Sequence, residues 1–229
     1  MLDRRALLAG LPLLGGLPAD QLDALARLAR IERFATGATI FRKGDVGHGL
    51  LAVLEGRVQI GVLGGDGREV TLNVIKTGEV FGEIALLDGE ARTADAVALE
   101  DCTFLAIDRR EFLTFLRRTP EVSIRLLEVL SRRLRRTTAL AEEALLLRLE
   151  SRLARQLLRL ANEYGRPEGA GVRIGLNISQ RQLGNLLGVS RESVNKQLSA
   201  WQALGYVSAK RGAITLCAPA RLQAIADEP

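Results

Sequence analysis

The chain has 229 residues, of which 47% are hydrophobic and 26% charged, enough for one large or two modest globular domains. Its net charge of +5 is uneven: residues 1–147 hold 20 Lys/Arg against 21 Asp/Glu, and residues 148–229 hold 12 against 6. A near-neutral front and a basic rear direct the rear towards a polyanion.

In chain order, Ala6 to Leu17 is apolar but broken by Gly10, Pro12, Gly15 and Gly16, which argues against an export signal. Leu11 to Arg30 reads as short helices, with Leu22, Leu25, Leu28 and Ala29 at helical spacing. From Ile31 to Ile107 the pattern changes to about eight short strands. Turns are marked at Gly37, Gly44-Asp45, Glu55-Gly56, Gly64-Gly65-Asp66-Gly67 and Thr77-Gly78, a spacing that suggests a jelly roll or similar double-sheet barrel. Asp108 with Glu111 matches a capping box. Thr119-Pro120-Glu121 opens a long helix, which should break near Leu147–Glu150. Leu127, Leu130, Leu134, Thr138, Ala141 and Leu145 recur in steps of three and four, a seam that suits pairing of two helices, with packing of the helix onto its own barrel as the other reading. No segment reaches the apolar length of a membrane span.

One stretch interrupts the strand run: Phe81-Gly82-Glu83-Ile84-Ala85-Leu86-Leu87-Asp88-Gly89-Glu90-Ala91-Arg92-Thr93-Ala94-Asp95. Read physically, it suits a small anionic sugar phosphate. Gly82 lets backbone approach a ligand closely. Glu83 to Leu87 reads as a helical turn with free N–H groups. Arg92 offers a planar fork for phosphate, with the Thr93 hydroxyl beside it. Ionised Glu83 only accepts, which suits a ribose hydroxyl.

In the rear, residues 179–198 have the layout of a helix-turn-helix. Ser179 with Gln182 makes a capping box, Gly188 permits the turn and Ser190 caps the second helix. Val194 and Leu198 face inward, whereas Arg191, Glu192, Asn195 and Lys196 point outward, where a second helix reads base edges. Ser179, Gln180 and Arg181 stand at the start of the first helix. Val172–Ile174 and Ala213–Leu216 look like the ribbon of a winged helix, and Lys210-Arg211-Gly212 at its turn suits phosphate.

The front stretch resembles the phosphate-binding cassette of cyclic-nucleotide-binding domains: Phe-Gly-Glu, a few apolar residues, then Arg-Ser/Thr-Ala. With Ser190-Arg191-Glu192-Ser193-Val194, which resembles the recognition-helix signature Ser-Arg-Glu-Thr-Val, the chain resembles the Crp/Fnr superfamily of transcription regulators, nearest the cyclic-AMP receptor branch. The resemblance implies an α+β fold: a cyclic-nucleotide-binding double-stranded β-helix or jelly roll over residues 1–119, a dimerisation helix over 120–147 and a winged helix-turn-helix over 148–229. It implies a ligand site of Gly82, Glu83, Ile84, Ala85, Arg92, Thr93 and Ala94, with Arg133, Thr137 and Thr138 from the long helix. It implies a DNA site of Ser179, Gln180, Arg181, Ser190, Arg191, Glu192, Asn195 and Lys196. Lys196 stands where the branch has a third reading arginine and lacks its bidentate fork.

The expected effector is cyclic AMP or cyclic GMP; Thr93 carries the hydroxyl compatible with either purine. Double-stranded DNA, a second copy of the chain and RNA polymerase are the expected partners, in the cytoplasm and without a membrane. No metal or haem is expected, because neither Cys102 nor Cys217 forms an N-terminal iron–sulfur cluster motif and His48 is the only histidine. A lone histidine also argues against a hydrolase. The competing expectation is a regulator of this family that binds DNA without nucleotide or with another effector.

Overall fold

The computed structural model describes residues 3–65, 67–169, 171–210 and 213–228. The chain divides into two compact units, Met1–Leu63 with Thr71–Leu134, and Gly64–Val70 with Arg135–Pro229.

The front unit begins with α1 (Arg4–Ala9) and α2 (Ala19–Leu28). The first helix thus precedes the expected Leu11 start, because the Asp3 carboxylate accepts from the Arg5 and Ala6 N–H groups and caps it there. Arg30 opens a strand rather than ending a helix. Eight strands follow: β1 (Arg30–Phe34), β2 (Thr39–Phe41), β3 (Gly49–Glu55), β4 (Val58–Leu63), β5 (Glu69–Ile75), β6 (Val80–Phe81), then α3 (Glu83–Asp88), β7 (Asp95–Ala98) and β8 (Cys102–Asp108). They form two four-stranded sheets, in orders β1-β8-β3-β6 and β2-β7-β4-β5.

The apolar runs of β3 and β8 serve two cores at once, since successive side chains alternate between sheet faces. Leu51, Val53, Phe104 and Ala106 point inside the roll with Val58, Ile75 and Phe81. Leu50, Ala52, Leu105 and Ile107 point outward, under Leu8, Leu25, Phe112 and Val122 of the helices. Inside, Phe81 meets Phe104 edge-on with centroids 5.4 Å apart, and Phe41 at 5.8 Å.

After β8 come α4 (Arg109–Arg118) and α5 (Pro120–Leu146), 27 residues that run from the front unit into the rear one. The capping box expected at Asp108 does not form. Its carboxylate is taken by Arg30, whose two terminal nitrogens donate to it at 3.0 and 3.1 Å. A bidentate, charge-assisted pair outcompetes a single cap bond. On α5, Val122 and Leu126 are buried, whereas Ile124, Leu127, Leu134, Leu145 and Leu146 are 59–82% exposed.

The rear unit continues through α6 (Leu149–Tyr164), β9 (Gly165–Glu168), β10 (Gly171–Ile174), α7 (Gln180–Leu187), α8 (Arg191–Ala203), β11 (Val207–Lys210), β12 (Ala213–Leu216) and α9 (Pro219–Asp227). The helix breaks at Leu147 and Arg148. The expected ribbon strands pair antiparallel, Val172 opposite Leu216 and Arg173 opposite Thr215, within a sheet ordered β11-β12-β10-β9. Leu153, Leu157, Leu183, Val194, Leu198, Trp201 and Leu222 form its core. Arg211 and Gly212 at the ribbon turn, and Asp66 in the β4–β5 turn, lie outside the described residues. None of the described helices is long and apolar enough to cross a membrane.

Candidate ligand pocket and nucleic-acid interface

The cassette is built around Gly82, which has φ +81° and caps α3. A Cβ there would lie 2.5 Å from Arg92 Nη1 and 3.1 Å from the Gly49 carbonyl, so conformation and space both demand glycine. Gly89, also left-handed, ends α3, and Arg109 Nε donates to the Leu86 carbonyl at 2.7 Å to hold that end.

Arg92 is 7% exposed. Its main chain is tied to the Gly44-Asp45 turn, its N–H donating to the Asp45 carbonyl at 2.8 Å and its carbonyl accepting from Gly44 at 2.9 Å. Nη1 donates to the Gly82 carbonyl at 2.7 Å and Nη2 to the Gly49 carbonyl at 3.2 Å. The guanidinium lies over the Phe41 ring, 4.2 Å from its centroid, a cation–π contact. Nε is buried without a partner among the described residues. Burial pulls the Arg92 pKa below its ordinary value, while Glu83 and Asp45 act to raise it. A desolvated cation with an unspent donor favours an anion beside it. The side chain also lines a cleft of about 430 Å³ that includes Phe41, Asp45, His48, Gly49 and Leu51.

Glu83 is 1% exposed. Arg133 of α5 forms an ion pair with its Oε2 and donates to the Val80 carbonyl. The cassette is thereby joined to the long helix. The structure brings together Gly82, Glu83, Arg92 and Arg133. Ala85 and Ala94 are buried among them, whereas Ile84 and Thr93 are exposed. Ala85 packs so closely on the loop before β3 that a Cβ at Gly47 would lie 2.4 Å from its own. Thr137 and Thr138 are exposed on α5. Phe41 and the Gly49 and Val80 carbonyls were absent from the sequence-based site; backbone acceptors leave no trace in residue identity, but Gly44-Asp45 was readable as a turn. Among the described residues, no group of three or more His, Cys, Asp or Glu is placed to hold a metal ion.

In the rear unit, Ser179 accepts from the Gln182 N–H at 3.1 Å and Gln182 Oε1 accepts from the Ser179 N–H at 2.8 Å, the reciprocal cap the spacing predicts. Gly188 turns the chain with φ +66°, and Ser190 caps α8 through the Ser193 N–H at 3.1 Å. Gly184 is also required, since a Cβ would lie 2.7 Å from the Val189 carbonyl. Val194 and Leu198 are buried, and Arg181, Arg191, Glu192, Asn195 and Lys196 are exposed. Gln180, half-buried, donates to Asn195 Oδ1 at 3.0 Å. A cleft lined by Gln180, Arg181, Arg191 and strand residues Ala209, Ala213 and Ile214 lies beside α8.

Residues 31–119 match the cyclic nucleotide-binding domain family and residues 151–225 the Crp-like helix-turn-helix domain family. The chain is 33% identical to the CRP-like cAMP-activated global transcriptional regulator of Mycobacterium tuberculosis, over 84% of this chain and 86% of that one. The chain belongs to the Crp/Fnr family of transcription regulators. As a Crp/Fnr protein it combines a cyclic-nucleotide-binding domain with a DNA-binding helix-turn-helix. Other Crp/Fnr relatives span similar lengths: the cyclic AMP receptor protein of Thermus thermophilus is 33% identical over 95% of this chain and 97% of its own. Among solved structures, the c-di-GMP-responsive global regulator CLP of Xanthomonas campestris is similar with TM-score 0.76 and 26% identity, covering 87% of this chain and 99% of that one.

Proposed function

We propose that the protein is a homodimeric transcription regulator switched by a cyclic nucleotide, cyclic AMP before cyclic GMP. The observation that carries this reading is the Glu83–Arg133 ion pair, which ties the cassette to the helix that bears the exposed leucines. Arg92, with Gly82 beneath it, would grip the cyclic phosphate; Glu83 Oε1 would take a ribose hydroxyl; Thr93, Thr137 and Thr138 would supply hydroxyls towards the base. The exposed face of α5, with Leu127, Leu134 and Leu145 at seam spacing, supports pairing with a second copy. Two copies would then present α8 helices roughly 34 Å apart to a palindromic site, with RNA polymerase as protein partner in the cytoplasm. The domain limits of this reading are residues 1–119, 120–147 and 148–229. The cyclic-AMP-activated relatives, 33% identical, support that effector. A relative described as responsive to c-di-GMP is the observation favouring a different effector, or DNA binding without nucleotide.

Calorimetric titration with cyclic AMP and then cyclic GMP tests the reading. The expected result is saturable binding of one, lost in Arg92→Ala. Binding unchanged by Arg92→Ala refutes the pocket assignment; binding of neither nucleotide refutes the effector.

A further inference from the structure

The cassette helix α3 is short and is held from outside. Its six residues bury only Glu83, Ala85 and Leu86, and a helix of that length is marginal without tertiary support. Each of its ends is claimed by an arginine from elsewhere in the front unit. Arg133 pairs with Glu83 at the first position. Arg109, the first residue of α4, donates from Nε to the Leu86 carbonyl at 2.7 Å. That carbonyl is one of those a helix cannot satisfy within its own last turn, and a cation there also suits the negative end of the helix. The fit is close: a Cβ on Gly89, which ends α3 at φ +80°, would lie 3.0 Å from Arg109 Nη2 and 3.4 Å from its Cζ. The main chain of Arg109 reaches the other side of the pocket. Its N–H donates to the His48 carbonyl at 2.8 Å, and the next residue, Gly49, supplies the carbonyl that accepts from Arg92 Nη2 at 3.2 Å.

We infer that Arg109 is a positioning residue for the nucleotide pocket, fixing the cassette helix against the Arg92 cradle while touching no ligand itself. Its side chain holds the segment that carries Glu83, and its main chain holds the segment whose carbonyl orients Arg92. One residue thus sets the ribose side and the phosphate side against a single frame. Without the bond to Leu86, α3 keeps Arg133 at its first residue and is released at its last turn. Glu83 then no longer sits at one distance from Arg92, and a ligand that bridges the two must first order them. Such ordering is drawn from the binding free energy, so affinity falls without being abolished. The inference rests on the cyclic-nucleotide reading of the cassette and adds to it a residue that lies outside the cassette.

The test is calorimetric titration of the full-length protein with cyclic AMP and with cyclic GMP, alongside the melting of the ligand-free protein. Arg109→Met keeps the apolar stem and removes the donor; affinity for whichever nucleotide binds should fall about tenfold. Arg109→Gln restores a neutral N–H donor the same number of bonds from the backbone as Nε, and affinity should return to within about twofold of wild type. A residue that served stability alone would shift the melting and leave affinity where it was. Wild-type affinity in Arg109→Met therefore overturns the inference. So does Arg109→Gln binding as weakly as Arg109→Met, which would assign the effect to charge rather than to the hydrogen bond. Should Arg109→Met not fold, Gly89→Ala reads the same contact with Arg109 in place. It should weaken binding about threefold and have no such effect in the Arg109→Gln background, where Nη2 is absent; equal effects in both backgrounds overturn the inference. A wild type that binds neither nucleotide refutes the pocket reading itself, and the inference with it, an outcome distinct from a wild type that binds and an Arg109→Met variant that binds equally well.

Discussion

Replacing Arg133 with methionine keeps most of the apolar stem but removes the charge, leaving Glu83, 1% exposed, without its partner on α5. Deleting one member of a buried ion pair costs about 3–5 kcal/mol, chiefly through the uncompensated charge left behind. Two features select the lower end of that range. The Arg133 side chain is 23% exposed, so water enters where it stood, and the Arg92 cation remains coupled to Glu83. The expected loss is therefore about 3 kcal/mol, equivalent to a fall of about 6–12 °C in the melting of the front unit at this chain size. Glu83→Gln should cost less, about 1–2 kcal/mol, because Arg133 keeps its Val80 acceptor and its access to water. The double variant should be less destabilised than the sum of the two, giving a coupling of about 1–2 kcal/mol. Differential scanning calorimetry with far-ultraviolet circular dichroism is the assay. Trp201, the sole tryptophan, lies in the core of the rear unit, so its fluorescence serves as the control that should not move. A loss below about 1 kcal/mol in Arg133→Met, or additivity in the double variant, would refute the pair as a structural link.

Two further outcomes test other parts of the front unit. Gly82→Ala should lose about 1–2 kcal/mol through its left-handed backbone alone and also displace Arg92, whose Nη1 lies 2.5 Å from the added carbon; urea denaturation and nucleotide titration of the same variant should both change, and wild-type nucleotide affinity would refute the cradle. Asp101 accepts from the Thr36 N–H at 2.8 Å and hydroxyl at 2.9 Å, which lowers its pKa below the ordinary 3.8. An acid with a depressed pKa stabilises the fold above its ordinary value, and that contribution vanishes as pH falls through the depressed one. Asp101→Asn should therefore reduce stability at neutral pH and flatten the acid limb below about pH 4; an unchanged slope there would refute the assignment.

The cassette and the helix-turn-helix were legible because each compresses its demands into a short run. Gly82 is dictated by its own φ and by the arginine ten residues on, and the caps Ser179–Gln182 and Ser190 act within three residues of themselves. Local chemistry of that kind survives in a bare sequence. What failed or was missed depends on partners far along the chain. Asp108 reads as a cap until Arg30, 78 residues away, claims its carboxylate. Arg133, named for the ligand site by resemblance, has its partner Glu83 fifty residues upstream, a pairing that no local pattern shows. The bond between Gln180 and Asn195 needs the angle between two helices, which no local pattern gives. The alternation of β3 and β8 between two cores was hidden for a related reason: when both faces are buried, no polar residue marks the period.

The same contrast bears on how a signal would leave the pocket. Glu83 reports on the cassette, and its strongest partner is on α5 rather than on another strand. That helix contains no glycine or proline between Glu121 and Leu146, so it lacks the residues at which helices usually kink. On the proposed reading, a shift at Arg133 would be felt first at Leu134, its immediate neighbour on the same helix. Leu134 belongs to the exposed apolar face, and pairing at such a face has discrete registers rather than a continuum. For a ligand to act through this route it must bind one register more tightly than the other, and a tenfold preference already corresponds to about 1.4 kcal/mol. On the proposed reading, a ligand hydrogen bond to the carboxylate held by Arg133, gained in only one register, would be of the size such a preference requires.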